Sequence, residues 1–508
     1  MSSSRVANTK RNVIWSYLEY LITIIFSFVS RSVIVYFLGA DYLGVSSLFS
    51  SILQVLNVAE LGFSIAVTYN MYKPLAENDT ATVCALLAFY RKIYNIIGIV
   101  ILVAGLIVTP FIPYLIKDEY PAALNIYILF ILYLFNTAIS YFLFSYKAAL
   151  LNALQRMDLT KVARCLVNIL VSALQILAIA LFKNYYLFII VSIIGTAANN
   201  LFTAYIATKK YPQYICEGVL SKEVKDSIAQ RVKGLLICNI SAITYTTFDS
   251  IILSALRGLV TVAVYNNYLV VFNGLTNVIV LVRLAMQASV GNSVASESVE
   301  KNYKDLLKWQ FLFSMIAMFC SACLLCLYQP FMKLWMGEDM MLPLVDVILL
   351  SVLFFIDVVQ HAYCLYLNAA GLWLEMKWAY IGSAILNIVM NLVLCHYFAV
   401  TGIIMATLIS SFISGFIWQL LVIFKSYFKR KATGYLVKQF LYFALAAAVA
   451  GLSYFLTSLV PFEGIIGLIV RGVICLCISF LVIVLLFRKT EQYKACLDIA
   501  KAMLKRKY

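Results

Sequence analysis

Residues 12–74 read NVIWSYLEYLITIIFSFVSRSVIVYFLGADYLGVSSLFSSILQVLNVAELGFSIAVTYNMYKP. The apolar runs predict two long membrane helices separated by the break Gly39-Ala40-Asp41-Tyr42-Leu43-Gly44. Each helix also carries a polar stripe. On the first, Ser16, Glu19, Tyr20, Thr23, Ser27, Ser30 and Arg31 recur at helical spacing; on the second, Ser50, Gln54, Asn57, Glu60, Ser64 and Thr68 do the same. At about 100° per residue each set occupies an arc of roughly 120°. Lipid cannot satisfy such a stripe, so it is expected to face a protein interior or a wet cavity.

The rest of the chain has the same character. Of its 508 residues 64% are hydrophobic and 12% charged, against about 25% charged in a soluble domain. Long apolar runs recur throughout, and the alternating ten-residue segments of a β-barrel do not. The fold class read from this is an all-α polytopic membrane protein. The first apolar segment is too long for a cleavable signal and reads as a retained span. The 12 cysteines lie mostly in apolar runs. Cys320, Cys323 and Cys326 are spaced like a cluster, but thiols as small packing residues explain them better than a metal site.

Fourteen spans are expected, at about 14–38, 43–70, 92–115, 122–146, 159–181, 185–207, 234–256, 260–287, 308–328, 342–368, 375–398, 401–424, 436–459 and 463–487. Placing the N-terminus inside puts Lys117, Lys183, Arg257 and Lys333 on outside segments, with Arg31 and Arg471 within spans; the rest of the 39 Lys and Arg fall inside. That bias predicts cytoplasmic N- and C-termini. It also assigns most of the net charge of +16 to the cytoplasmic surface, facing anionic lipid rather than nucleic acid. The chain then reads as a six-helix bundle over 1–207, a linker over 208–233, a second six-helix bundle over 234–424, an extra helix pair over 425–487 and a basic amphipathic tail over 488–508. Residues 30–38 echo residues 248–256, as in a parallel repeat of two bundles.

Ionisable residues within spans cost free energy in lipid, so each needs a reason. Arg31 shares a helix face with Ser27 and Ser30; it either snorkels or lines a cavity. Glu60 is too deep for easy snorkelling and is expected to pair with a neighbouring helix, titrate, or touch substrate. Asn239, Thr246, Asp249 and Ser250 repeat the pattern in the seventh span, and Asn266, Asn273, Asn277, Arg283 and Gln287 in the eighth. The tenth places Asp346, Asp357, His361 and Asn368 on one face, with Asp357 near mid-bilayer, either protonated or paired with His361. Asn387 and Asn391 are expected to bond between helices, and Arg471 to snorkel. Asn78-Asp79-Thr80 matches a glycosylation sequon but falls on an inside loop. There is no phosphate-binding loop, dinucleotide glycine pattern or zinc-protease motif, so no enzyme chemistry and no cofactor or metal is expected.

The segments Tyr36-Phe37-Leu38-Gly39-Ala40-Asp41-Tyr42-Leu43-Gly44, Ala59-Glu60-Leu61-Gly62-Phe63-Ser64-Ile65-Ala66, Tyr69-Asn70-Met71-Tyr72-Lys73-Pro74-Leu75-Ala76 and Phe89-Tyr90-Arg91-Lys92-Ile93-Tyr94 are distinctive. Together they resemble the polysaccharide repeat-unit flippases. These are the O-antigen and capsule translocases of the multidrug/oligosaccharidyl-lipid/polysaccharide exporter superfamily. Beyond about the first hundred residues the likeness rests on span count, loop lengths and basic loops. It implies two six-helix bundles around a central cavity plus two helices, in the bacterial cytoplasmic membrane. It implies a polyprenyl-diphosphate-linked oligosaccharide moved from the inner to the outer leaflet by alternating access, coupled to protons or another cation. It also implies neighbours such as a glycan polymerase and glycosyltransferases. Ser27, Arg31, Gln54, Asn57, Arg257, Asn273 and Arg283 are then candidates for substrate binding, the arginines for the diphosphate. Glu60, Asp249, Asp357 and His361 are candidates for ion coupling. A multidrug or cation antiporter, a lipid II flippase of the same superfamily, and a non-transporting scaffold for glycan assembly are the rival readings.

Overall fold

The computed structural model describes residues 2–60, 63–117, 120–373 and 375–505. Leu61 and Gly62 of the motif above lie outside the described residues, as do the side chains of Asn239, Thr246, Ile499, Ala500, Met503 and Leu504. Described elements are all helical. The chain forms two compact units, Met1–Ala263 and Val264–Tyr508, each taken here by itself.

The first unit begins with α1 (Ser2–Phe37) and α2 (Ala40–Leu56), joined through Gly39. Gly39 has φ 109° and ψ 166°, a conformation that side chains disfavour, and it lets two helices meet without a loop. The expected continuous span over 43–70 is broken. After α2 the chain tightens into a 3-10 turn, Asn57–Glu60, and resumes as α3 (Phe63–Ala76). Next comes α4 (Thr80–Val108), whose N-terminus explains the sequon-like run. Asp79 accepts from the Thr82 amide at 3.0 Å. Its hydrogen bonds to Thr82 hold the carboxyl below the usual range. Pro110 and Pro113 sit in the 3-10 turn Thr109–Leu115 that ends this span.

The fourth expected span is bent. It consists of α5 (Ile126–Phe142) and the two-turn α6 (Tyr146–Ala153), inclined by 52°. Phe144 at the bend has φ 56°. Then follow α7 (Met157–Phe182), α8 (Tyr185–Lys210), and, after the segment 211–221, α9 (Lys222–Arg257). Helix α1 packs on α7, α4 on α5, α5 and α7 on α8, and α2 on α9. Helix α6 is wedged among α3, α4, α7 and α8.

A second Gly-linked junction follows α9. Gly258 (φ 89°, ψ 173°) leads directly into α10 (Leu259–Ser296). Both α1 and α9 are 36 residues long and end at such a glycine, a structural parallel to the sequence echo between residues 30–38 and 248–256.

The second unit is organised on α11 (Val299–Met336), against which α12 (Leu344–Ala370), α15 (Thr433–Ser458), α16 (Gly464–Phe487) and α17 (Glu491–Lys505) pack. Between α12 and α15, α13 (Lys377–Ser410) turns at Ala399, with φ 51° and ψ −126°, where two spans were expected to meet. It continues as π-helix over Ser411–Trp418, then α14 (Gln419–Ile423), then π-helix over Phe424–Phe428. The Tyr363 hydroxyl donates to the Gly415 carbonyl at 2.8 Å, meeting a group that π-winding leaves available.

Among the described residues ten helices are long and apolar enough to cross a membrane, and the bent α5–α6 pair makes an eleventh. Their outer surfaces are apolar: Ile465, Ile469, Val473, Leu476 and Phe480 of α16 are all more than half exposed. A large bare apolar surface fits lipid rather than water. Some interior polar side chains are met by each other. Asn387 donates to Thr407 at 3.2 Å and to Ser410 at 3.4 Å, and Asn391 donates to Asn387 at 3.1 Å. Arg471 does not simply snorkel; it bonds the carbonyls of Thr457 and Val460 at the end of α15.

Close helix contact in the first unit depends on Gly44. A Cβ there would lie 2.2 Å from the Leu259 carbonyl oxygen and 2.6 Å from its carbon. Gly44→Ala should therefore push α2 off the α9–α10 junction and cost about 1–3 kcal/mol, the usual range for overpacking. Gly451→Ala, where a Cβ meets nothing within 4 Å, is the matched control. Thermal denaturation in detergent, followed by size-exclusion chromatography, should show a lowered midpoint for the first variant only.

Candidate functional site

The break in the second expected span creates the site. Because α2 ends at Leu56 and α3 starts at Phe63, the 3-10 turn presents Asn57 and Glu60 together. The Tyr94 hydroxyl of α4 donates to Glu60 Oε1 at 2.5 Å. The Tyr141 hydroxyl of α5 lies 3.4 Å from Glu60 Oε2 and 3.1 Å from Asn57 Oδ1. Tyr90 packs edge-on against Tyr94 with centroids 4.3 Å apart, and Tyr94 against Tyr141 at 5.3 Å. A half-buried carboxylate is thus held by two phenol hydroxyls.

Glu60 faces a cavity of about 310 Å³, near the lower end of the usual small-molecule range of roughly 300–1,000 Å³. Its lining is mostly hydroxyl, amide and small side chains: Ser64 from α3, Ser140 from α5, Ala148, Ala149 and Asn152 from α6, Thr160 and Arg164 from α7, and Asn199, Asn200 and Thr203 from α8. Neighbouring polar groups brace it. Thr196 donates to Asn136 at 2.8 Å, Asn200 to the Ser140 carbonyl at 3.2 Å, and Gln175 to Ser192 at 2.6 Å. The Asn199 Oδ1 is buried with no hydrogen-bond partner among the described residues. The cation on the wall is Arg164, whose Nη1 is 3.5 Å from Glu19 Oε1. Lys161 approaches the other Glu19 oxygen at 3.0 Å.

Sequence reading found part of this set. Asn57, Glu60 and Ser64 were visible on the second polar stripe. The α8 contribution was missed, although Ser192, Thr196, Asn199 and Thr203 recur at helical spacing just as the first two stripes do. Arg164 was read only as a loop charge.

Other predicted residues are placed elsewhere. The N-terminal end of the α1 stripe serves helix pairing: Glu19 binds α7, and Asn12 donates to the Gln155 carbonyl at 3.0 Å and accepts from the Asp158 amide at 2.7 Å. Arg31 interacts electrostatically with Tyr185. Tyr185 in turn shares a hydrogen bond with Tyr133 at 2.8 Å, and Tyr133 donates to Ser46 at 2.9 Å. This polar knot is distinct from the Glu60 cage. Ser27 is half-buried on α1 and Gln54 exposed on α2. Asp249 is buried in α9 and Arg257 stands at its C-terminus.

In the second unit Asn273 is exposed, whereas Arg283, Asp357 and His361 converge between α10 and α12. The Arg283 charge acts on both Asp357 and His361, and among the described residues neither shows the other as a hydrogen-bond partner, the paired alternative for Asp357. The Arg283 Nε and His361 Nε2 are buried without hydrogen-bond partners among the described residues. Arg283 also lines a second cavity of about 240 Å³ with Cys364, Asn368, Trp373 and Tyr380. One turn along α10 from Arg283, Gln287 donates to the Leu365 carbonyl at 3.0 Å.

These features, polar cavities within lipid-facing helical bundles, define the chain as a polytopic helical membrane protein. Its fold is similar to an inward-facing multidrug resistance transporter of the MATE family of the MOP superfamily, at TM-score 0.65 and 14% identity, covering 81% of this chain and 98% of that one. It is similar to the lipid II flippase MurJ in an inward closed conformation, at TM-score 0.64 and 13% identity, covering 94% and 99%. An outward-facing MATE transporter follows at 0.55 and 16%, covering 82% and 96%. These neighbours are transporters and flippases, not enzymes. No curated protein matches by sequence. Residues 9–290 match the model of the polysaccharide biosynthesis protein family, and the chain belongs to that family.

The cage makes a stability prediction. Tyr94→Phe removes a donor to Glu60 and should cost about 1–3 kcal/mol, the range for leaving a buried polar group short of a partner. Adding Glu60→Gln should cost less than the sum of the two single changes, because both act on one interaction. Thermal midpoints of the four proteins in detergent give the comparison.

Proposed function

We propose that this chain is a flippase that carries polyprenyl-diphosphate-linked oligosaccharide repeat units from the inner to the outer leaflet of the bacterial cytoplasmic membrane for surface polysaccharide synthesis. The observation that carries the reading is the hydroxyl- and amide-lined cavity around Glu60 in a chain of the polysaccharide biosynthesis family. Sugar hydroxyls need donors and acceptors that lipid lacks, and this lining offers both. The diphosphate needs cations. Arg164 supplies one on the wall of the cavity. The prenyl chain has no polar groups and stays in lipid. Transport proceeds by alternating access, the bundles over 1–207 and 234–424 moving as bodies.

Ion coupling is assigned to Glu60 and Asp357. Glu60 places a carboxylate in the cavity wall, and Asp357 sits within reach of the Arg283 charge. The second reading, a multidrug or cation antiporter, draws on the tyrosines around Glu60, since a carboxylate among aromatic faces also suits an organic cation.

Leaflet-resolved detection of the lipid-linked glycan in a depletion strain tests the proposal. With wild-type protein the glycan should reach the outer leaflet, and without it the precursor should accumulate inside. Arg164→Ala should slow the step while Glu60→Gln and Asp357→Asn alter its pH dependence. Unchanged translocation and pH profile in both carboxylate variants would remove the coupling assignment. Drug sensitivity with no glycan defect would favour the antiporter.

A further inference from the structure

Between α8 and α9 the chain could have crossed as a loose connection. Instead residues 211–220 are strapped onto the ends of α4 and α6. Lys147, a lysine only 7% exposed, donates to the Tyr214 carbonyl at 3.1 Å. Cys84 of α4 reaches the Gln213 carbonyl at 3.6 Å. Cys216 sits among Arg91, Tyr146 and Lys147. Gly218, at φ 103°, passes so close to α4 that a Cβ would lie 3.2 Å from the Ala85 Cβ, and Leu220 is buried. At the other end Arg156 interacts with Tyr211. A buried ammonium whose hydrogen bond goes to a loop carbonyl ties that loop down firmly, because releasing it would strand the charge.

The element held this way is α6. Its other face lines the cavity through Ala148, Ala149 and Asn152. At about 100° per residue, Lys147 points roughly opposite to Ala149 and Asn152, with Ala148 to the side. The helix is only two turns long and is joined to α5 by a 52° bend at Phe144, a non-glycine residue at positive φ that itself borders the cavity. Such a short element, hinged at one end, takes its position from what grips its back.

We propose that segment 211–220 and Lys147 form a clamp that sets the position of α6 and with it one wall of the cavity, making Lys147 a positioning residue for translocation. This rests on the reading of the cavity as the substrate site. The clamp makes no contact with substrate. It holds Asn152 and the two alanines at the spacing the opposing α7 and α8 side chains require.

The native thiols report on it. Full-length protein in lipid nanodiscs, open on both faces, is treated with N-ethylmaleimide, and labelling is followed by peptide mass spectrometry. Lys147→Met and, separately, Gly218→Ala should raise the labelling rate of Cys84 about tenfold, as expected for loss of a hydrogen bond to a charged group. Cys165, buried in α7, should label at its wild-type rate. An Asn152→Cys probe should change its rate in both backgrounds, and Lys147→Arg should restore it towards wild type. Leaflet-resolved glycan movement should fall in step. Unchanged Cys84 labelling in both variants overturns the clamp. Cys84 and Cys165 rising together means general loosening and overturns the positioning role, as does an altered Cys84 with Asn152→Cys and transport both unmoved. If the wild-type protein moves no glycan, the functional reading fails instead, and the thiol rates still decide the clamp.

Discussion

A carboxylate among helices that face lipid must be met by donors from the protein itself, and the first unit is built around that constraint. Glu60 cannot be left in hydrocarbon, nor can it reach bulk water on its short stem. The answer is a broken helix. Interrupting the span at Asn57–Glu60 turns the carboxylate towards Tyr94 and Tyr141. The same interruption opens the polar cavity, since its backbone need not follow the straight line that would fill the space. Irregular backbone at membrane depth is tolerated where it lines such a cavity.

The consequences spread through neighbouring helices. Polar residues of α5 and α8 hydrogen-bond across the cavity edge, Asn136 with Thr196 and Ser140 with Asn200, so the wall is held by its own side chains. Glu19, Lys161 and Arg164 tie α1 to α7 and steady the cavity's cation. The second unit meets a similar demand differently. The Arg283 charge acts on both Asp357 and His361, and its Nε is buried without a hydrogen-bond partner among the described residues. Buried charge of that kind costs stability unless compensated, which makes it a reasonable place for function rather than for packing.

Much of the fold was legible because hydropathy is a local property. Spans over α1, α7, α8, α15 and α16 are found within a few residues of where the apolar runs put them. The bends were less legible. Breaks at Asn57–Glu60 and at Phe142–Tyr146 contain no proline; Asn57 and Glu60 read as members of a polar stripe on one continuous helix, and Phe142–Tyr146 is nearly as apolar as its surroundings. What breaks the helix is a demand made by side chains on other helices. Of the two amides expected to bond between helices, Asn387 reaches Thr407 and Ser410 across the turn at Ala399, whereas Asn391 donates to Asn387 one turn away on its own segment.

The sequence by itself determined that this chain lives in a membrane, that its helices carry polar faces, and that the Glu60 segment resembles repeat-unit flippases. Those are properties of composition and of short runs. Only the tertiary structure decided which polar groups meet. It brought Glu60 to the tyrosines of α4 and α5, gave the cavity Arg164 rather than Arg31, and folded the supposed linker against α6. The physical reason is that a polar side chain in a bilayer is defined by its partners, and those partners lie tens to a hundred residues away along the chain.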